Sequence, residues 1–148
     1  MKITDLISPE TICFIDNKWK GDILAILTKK AAELGKLDNR ELFQQAIEER
    51  ESLLSTGIGL GVAIPHAKIE SVHDFFIITG ILAEPVSWDS LDQRPVSLVF
   101  LIGGPDGAQI QYLQLLSQII LLVKNDEIRE KLMKAQTGEE FVSLLTKG

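Results

Sequence analysis

The chain has 148 residues, 45% hydrophobic and 24% charged, an ordinary mix for a single globular domain with a real core. Its formal net charge of −6 argues against a nucleic-acid role, which calls for a basic face, and leaves room for a basic protein partner. Cys13 is the only cysteine, so no intramolecular disulfide and no thiolate metal cluster can form; with no signal-peptide pattern at the start, a reducing cytoplasm is the expected compartment.

"TICFI" (11–15) is apolar and β-branched and predicts a first strand. "GDILAILTKKAAELGKL" (21–37) has apolar residues at 23, 24, 27, 31 and 34, a helical period with Gly35 as its stop. "DNRELFQQAIEER" (38–50) predicts a second helix, with Asp38 and Glu41 spaced as a capping box. Its buried stripe would be Leu42, Phe43, Ala46 and Ile47, and Arg50 falls near its end. A glycine-rich loop is expected next. "GVAIPHA" then reads as a short strand that Pro65 interrupts, so it belongs at a sheet edge or a strand end.

"FFIITGILA" (75–83) and "VSLVFLIGG" (96–104) are near-continuous apolar runs, the pattern of strands buried on both faces. The stretch between them is turn-rich. Helices are predicted over 109–123, 126–135 and 137–145, the last opened by Thr137 and Glu140 as a capping box. The longest apolar run, "LLSQIILLV" (115–123), is too short to span a bilayer, so no membrane insertion is expected. Strands with helical layers before and after them predict one α/β domain over 1–148, a three-layer α/β/α sandwich with a mixed central sheet.

"STGIGLGVAIPHAK" (55–68) carries the chemistry. Gly57, Gly59 and Gly61 allow backbone shapes closed to other residues and bare N–H groups that can form an anion nest. Pro65 stiffens the approach to His66. A neutral imidazole has one lone-pair nitrogen, a usable nucleophile once the other nitrogen is hydrogen-bonded. Phosphoryl transfer asks mainly for positioning and charge stabilisation, which a histidine, N–H donors and an arginine supply without a metal or cofactor. The run has no Walker "GK[ST]", and a strand rather than a dinucleotide-binding helix follows it. A plain surface loop is the competing reading, and a hydrolase using His66 as base is another, though no G-x-S-x-G motif supports it.

"ERESLLSTGIGLGVAIPHAK" (49–68) closely resembles the signature of the fructose/mannitol-type enzyme IIA domains of the bacterial phosphotransferase system, a superfamily that includes the nitrogen-regulatory enzyme IIA-like proteins. "LISPETI" (6–12), "SLDQRPVSLVFLIGGPDG" (90–107) and "YLQLLSQIILLVKNDEIREKL" (112–132) extend the resemblance along the chain. It implies that His66 accepts a phosphoryl group on Nε2 from the phosphocarrier HPr, and that Arg50 contacts the site. Ser55, Thr56, Gly57, Gly59 and Gly61 would match the loop that shapes the pocket. A carbohydrate-specific enzyme IIB or a regulatory target would then be the downstream partner.

The chain departs from the family at three places. Leu54 stands where glycine is usual, Leu60 where asparagine often stands, and Tyr112 where a second active-site histidine is usual. Those last two changes are what a regulatory binding module without efficient transfer would show. Tyr112 has two readings: a phenol bordering the phosphate in the first turn of a helix, or a packing residue. Arg50 has two as well, a phosphate ligand or a helix-end charge. His73 is expected to be exposed and uninvolved, since two such separated histidines make a poor metal site. Trp88 and Phe100 are expected to pack.

Overall fold

In the computed structural model, which describes residues 1–147, two 3-10 turns (Ile3–Asp5 and Pro9–Thr11) lead into β1 (Ile12–Ile15). Helix α1 (Lys20–Glu33) buries Ile23, Leu24, Leu27 and Ala31, the stripe its periodicity predicts. It ends at Gly35: the Gly35 and Lys36 N–H groups close on the Ala32 and Ala31 carbonyls at 3.0 and 2.9 Å, a Schellman stop. Helix α2 (Arg40–Leu53) follows. Its cap is Asn39, whose side chain accepts from the Leu42 N–H at 3.0 Å, and not the expected Asp38. Asp38 instead meets His73 at 2.7 Å.

The glycine-rich stretch is not an open loop. It forms a hairpin of β2 (Gly57–Gly59) and β3 (Val62–Ala63). The turn is Leu60–Gly61, with φ of 60° and 78°. A two-residue hairpin of this hand needs positive φ at both central residues, which glycine adopts freely and leucine does not. The Leu60 N–H is held by the Asp92 carboxylate at 3.0 Å.

After β4 (His66–Lys68), β5 (Phe76–Val86) and β6 (Val96–Gly104) pair antiparallel; β5 runs three residues past its expected end at 83. The sheet order is β1-β5-β6-β3-β2, with β1 parallel to β5 and both β3 and β4 parallel to β6. Thus β3 and β4 form one line along β6, interrupted at Ile64–Pro65 where proline has no N–H for the ladder. Helices α3 (Gln109–Lys124), α4 (Asp126–Met133) and α5 (Gly138–Lys147) complete the chain. Thr137 caps the last, accepting from the Glu140 N–H at 3.1 Å.

Side-chain alternation along the strands sorts the core into two halves. Ile77, Leu98, Phe100 and Ile102 face α3, α4 and α5, packing on Leu115, Ile119, Leu132 and Phe141. Phe76, Ile78, Val99 and Leu101 face α1 and α2, packing on Ile23, Leu27, Phe43 and Ile47. This is the expected α/β/α sandwich with a mixed sheet. Trp88 and Phe100 are both fully buried, as packing residues.

The strained turn generates a stability prediction. Leu60→Asn keeps the backbone bond to Asp92 and places a residue tolerant of positive φ in the turn. It should raise stability by about 1 kcal/mol. The urea midpoint should rise with its slope unchanged; no rise would show that the leucine side chain contributes as much as its backbone loses.

Candidate functional site

His66 opens β4 opposite Ile102, and Lys68 closes it opposite Gly104, the last residue of β6. Helix α3 begins a few residues later, at Gln109. The carboxyl ends of two parallel strands and the amino end of a helix therefore meet here, where open α/β sheets place their ligands. Ile102 faces the α3 side of the core, and so does His66 beside it.

The imidazole is half-buried and its Nδ1 lies 3.1 Å from the Ile64 carbonyl. A carbonyl only accepts, so Nδ1 carries the proton and, in the neutral ring, Nε2 keeps the lone pair. Ile64 turns its backbone away from β6, beyond the residues that β2 pairs, and this leaves that carbonyl free for the ring.

Ile64 is itself held in place. Its N–H donates to the Thr56 carbonyl at 3.0 Å. Thr56 is anchored by its N–H to Glu51 Oε2 at 2.9 Å and by its hydroxyl to Glu51 Oε1. Trp88 Nε1 donates to the same hydroxyl at 3.2 Å. Glu51 pairs with Lys20 at 2.7 Å, the two side chains only 6% and 22% exposed. Lys20 reaches on to the Trp88 carbonyl at 3.2 Å. The helix ends of α1 and α2 are thereby tied to the strand that carries His66.

Arg50 donates to the Leu54 carbonyl at 2.8 Å, just past the end of α2, so part of its role is that of a helix-end charge. Its guanidinium also acts on both His66 and Tyr112. Tyr112 is 6% exposed, packed in the core on the α3 side. Its ring lies 4.7 Å from the imidazole, centre to centre, tilted by 33°. The structure thus brings His66, Arg50 and Tyr112 to one place.

The hairpin residues divide. Ser55 and Thr56 stand at its near end, Ser55 Oγ donating to the Trp88 carbonyl and accepting from the Gly57 N–H at 3.1 Å. Gly57 sits so close to Ser90 that a Cβ would fall 2.0 Å from its Oγ. Gly59 and Gly61 lie at the turn end, at the level of Leu98, about 13 Å of strand from the Ile102 level of His66. The N–H groups of Thr56, Gly57 and Leu60 are engaged by Glu51, Ser55 and Asp92. These contacts replace the expected nest of bare donors with a braced hairpin.

Lys68 was missed in the motif. It donates to Gln109 Oε1 and places its ammonium 4.8 Å from the centre of the Tyr112 ring. Its signal was available: His-x-Lys on a strand puts both side chains on one face. Glu51 and Lys20 left no such signal, because their pairing joins two helices distant in sequence. His73 is 74% exposed and pairs with Asp38. Among the described residues, no group of three or more His, Cys, Asp or Glu could hold a metal, and no helix is long and apolar enough to cross a membrane.

Against known proteins, the family described as phosphoenolpyruvate-dependent sugar phosphotransferase system, EIIA 2, matches residues 5–148. The chain belongs to that family. It is 38% identical over 146 residues to the fructose-specific EIIABC component of Bacillus subtilis, covering 98% of this chain but only 23% of that relative. It is 36% identical to the nitrogen regulatory protein of Bradyrhizobium diazoefficiens, covering 98% of this chain and 95% of that one. Among solved structures, the nitrogen regulatory protein IIA-Ntr of Neisseria meningitidis superposes with a TM-score of 0.89 at 28% identity, covering 97% and 98% of the two chains. Its fold and its phosphotransfer class are those of enzyme IIA.

Two predictions follow from this enzyme IIA geometry. Burial, then the Arg50 and Lys68 charges, hold the His66 pKa below its ordinary 6.5; the bond to Ile64 and the Glu51 charge oppose them. The folded state therefore favours the neutral ring. The stability this contributes is whole above the unfolded value near 6.5 and is lost as pH falls through the folded value. An NMR titration should find the His66 midpoint below 6.5. Second, Thr56→Val keeps the shape but leaves Glu51 and Trp88 Nε1 without their hydroxyl partner. It should cost about 1–3 kcal/mol by urea unfolding.

Proposed function

We propose that this enzyme IIA chain is a cytoplasmic phosphocarrier that takes a phosphoryl group from phospho-HPr onto Nε2 of His66 and serves a nitrogen-regulatory role. The observation that carries this reading is the Nδ1 bond to Ile64, which leaves Nε2 as the nucleophile. The Nε2 lone pair attacks phosphorus; the new N–P bond forms as the donor's bond to phosphorus breaks and its electron pair leaves with the donor. The Nδ1 proton stays on the ring, where the Ile64 carbonyl supports the positive charge the ring gains.

Arg50 stabilises the phosphoryl oxygens, since a guanidinium offers them paired, charged hydrogen bonds. Tyr112 borders the group. The first turn of α3, which carries no acidic residue, adds unpaired N–H groups favourable to an anion. Ser55, Thr56 and Gly57 brace the approach to His66, and Gly59 and Gly61 shape the hairpin behind it. The regulatory role draws on the nitrogen regulatory relative that matches this chain over nearly its whole length. The fructose-specific relative supports a second reading, in which the group passes to an enzyme IIB. Tyr112 in place of histidine favours a third, a binding module with weakened transfer.

The test is incubation with enzyme I, HPr and phosphoenolpyruvate, followed by mass spectrometry. The parent should gain one acid-labile phosphoryl group and His66→Ala none; His73→Ala should be modified like the parent. Retention of the full signal in His66→Ala would overturn the assignment. Arg50→Ala should slow transfer by about tenfold or more, the effect of losing a charged hydrogen bond, and Arg50→Lys should recover part of it. An unchanged rate would leave Arg50 as a helix-end charge.

A further inference from the structure

Lys68 has a place that the motif does not explain. It follows His66 by two residues on β4, so both side chains leave the same face of the strand. The Tyr112 ring centre is 4.7 Å from the imidazole centre and 4.8 Å from the Lys68 ammonium. Together these distances bring the ammonium within ~10 Å of the imidazole, one Debye length at 0.1 M salt. The ammonium is tethered at two points, by the ring face and by Gln109 at the start of α3. The ring itself does not wander, because the core on the α3 side surrounds it.

We propose that Tyr112 acts through the face of its ring, as a platform that holds the Lys68 ammonium beside His66, so that Lys68 supplies the positive charge a neutral phenol cannot. This rests on His66 being the phosphoryl acceptor.

A lysine side chain free in water loses considerable rotamer entropy on being fixed, so a lone surface lysine is a poor local charge. An aromatic face offsets that loss by attracting the cation with its quadrupole, and a hydrogen bond to Gln109 adds direction. The phosphoryl group brings up to two negative charges. A cation held within a Debye length meets them with little further ordering. Arg50 approaches from α2, so the phosphorylated imidazole would have one cation from the helix and one from its own strand, with Glu51 the carboxylate facing them. In this arrangement the hydroxyl of Tyr112 is secondary and its ring plane is what matters. Tyr112 is then a positioning residue for both the imidazole and the ammonium.

The experiment measures the equilibrium of phosphoryl exchange with HPr, with the unphosphorylated His66 titration followed by NMR in the same variants. Lys68→Met should shift the equilibrium toward phospho-HPr by about five- to tenfold, and Lys68→Arg should retain most of the parent value. Tyr112→Leu should lose about as much as Lys68→Met, whereas Tyr112→Phe, which keeps the face, should lose less than about twofold. Adding Lys68→Met to Tyr112→Leu should change little, because the two act as a unit. Lys68→Met should also raise the His66 pKa, by removing a nearby positive charge.

An unmoved equilibrium in Lys68→Met, or equal losses in Tyr112→Phe and Tyr112→Leu, would overturn the proposal. If no form of the chain accepts phosphate, the phosphocarrier reading fails, and the titration still decides this inference. A His66 pKa unchanged by Lys68→Met would show that the ammonium does not reach the ring.

Discussion

The bond from His66 Nδ1 to the Ile64 carbonyl decides which ring nitrogen is free, and its geometry depends on bonds reaching back through three further residues. Ile64 hangs from Thr56, Thr56 from Glu51, and Glu51 from Lys20 at the first residue of α1. Trp88, fully buried, closes the set by donating to Thr56 and receiving Lys20. Each of these groups is largely shielded from water, where an unsatisfied polar atom is costly. The network therefore has few alternative arrangements, and the imidazole inherits that definition. A nucleophile on a freely rotating side chain would have to pay for the same orientation at each encounter.

The sheet edge imposes the second constraint. A continuous strand along β6 would engage every carbonyl on its inner side in the ladder. The Pro65 carbonyl stays on that side, accepting from the Ile102 N–H at 2.9 Å, while Ile64 turns its backbone away from β6, its N–H to Thr56 and its carbonyl to the imidazole. β2 then covers the outer side of β3, which would otherwise present open backbone to other chains. Gly57 is required there by the Ser90 hydroxyl that occupies the place of its Cβ. The proline and the glycines of this motif thus work mainly on the backbone: one stiffens the approach to His66, and the others let a short hairpin fold against its neighbours.

Much of this was legible before the structure. Helices with a clear 3.6 period (α1, α2, α3) and the two long apolar strands emerge close to their predicted ranges, because burial of one stripe or of both faces leaves a direct mark on the sequence. The α2 cap went to Asn39 because adjacent Asp38 and Asn39 are equally competent caps, and only the tertiary pairing of Asp38 with His73 separates them. The hairpin was hidden because β2 and β3 are three and two residues long, too short for any alternation to register. Its turn also lacks the usual signal, since Leu60 stands where a residue at ease with positive φ would announce it. His66, Arg50 and Tyr112 could be nominated from the motif and its resemblance; that they converge could not. The Glu51–Lys20 pair and the tether of Lys68 to Gln109 are long-range contacts that no local pattern encodes.

The electrostatics of the site run against those of the molecule. The chain carries a formal charge of −6, yet the charges reaching His66 include two cations, Arg50 and Lys68, against the single carboxylate of Glu51. In the bare state those cations, with burial, disfavour a charged imidazole and so preserve its lone pair. On the proposed function the same cations favour the phosphorylated state, because the group that arrives is an anion. No rearrangement is needed between the two tasks; the sign of the ligand makes the difference. Glu51 does not cancel this field, since its carboxylate is already committed to Lys20 and Thr56. An acidic surface with a local pair of cations would also guide a basic donor to the molecule while reserving that pair for its anionic cargo. Attraction of the partner and stabilisation of the group it carries can therefore be separated in space, the first spread over the surface and the second confined to the ends of α2 and β4.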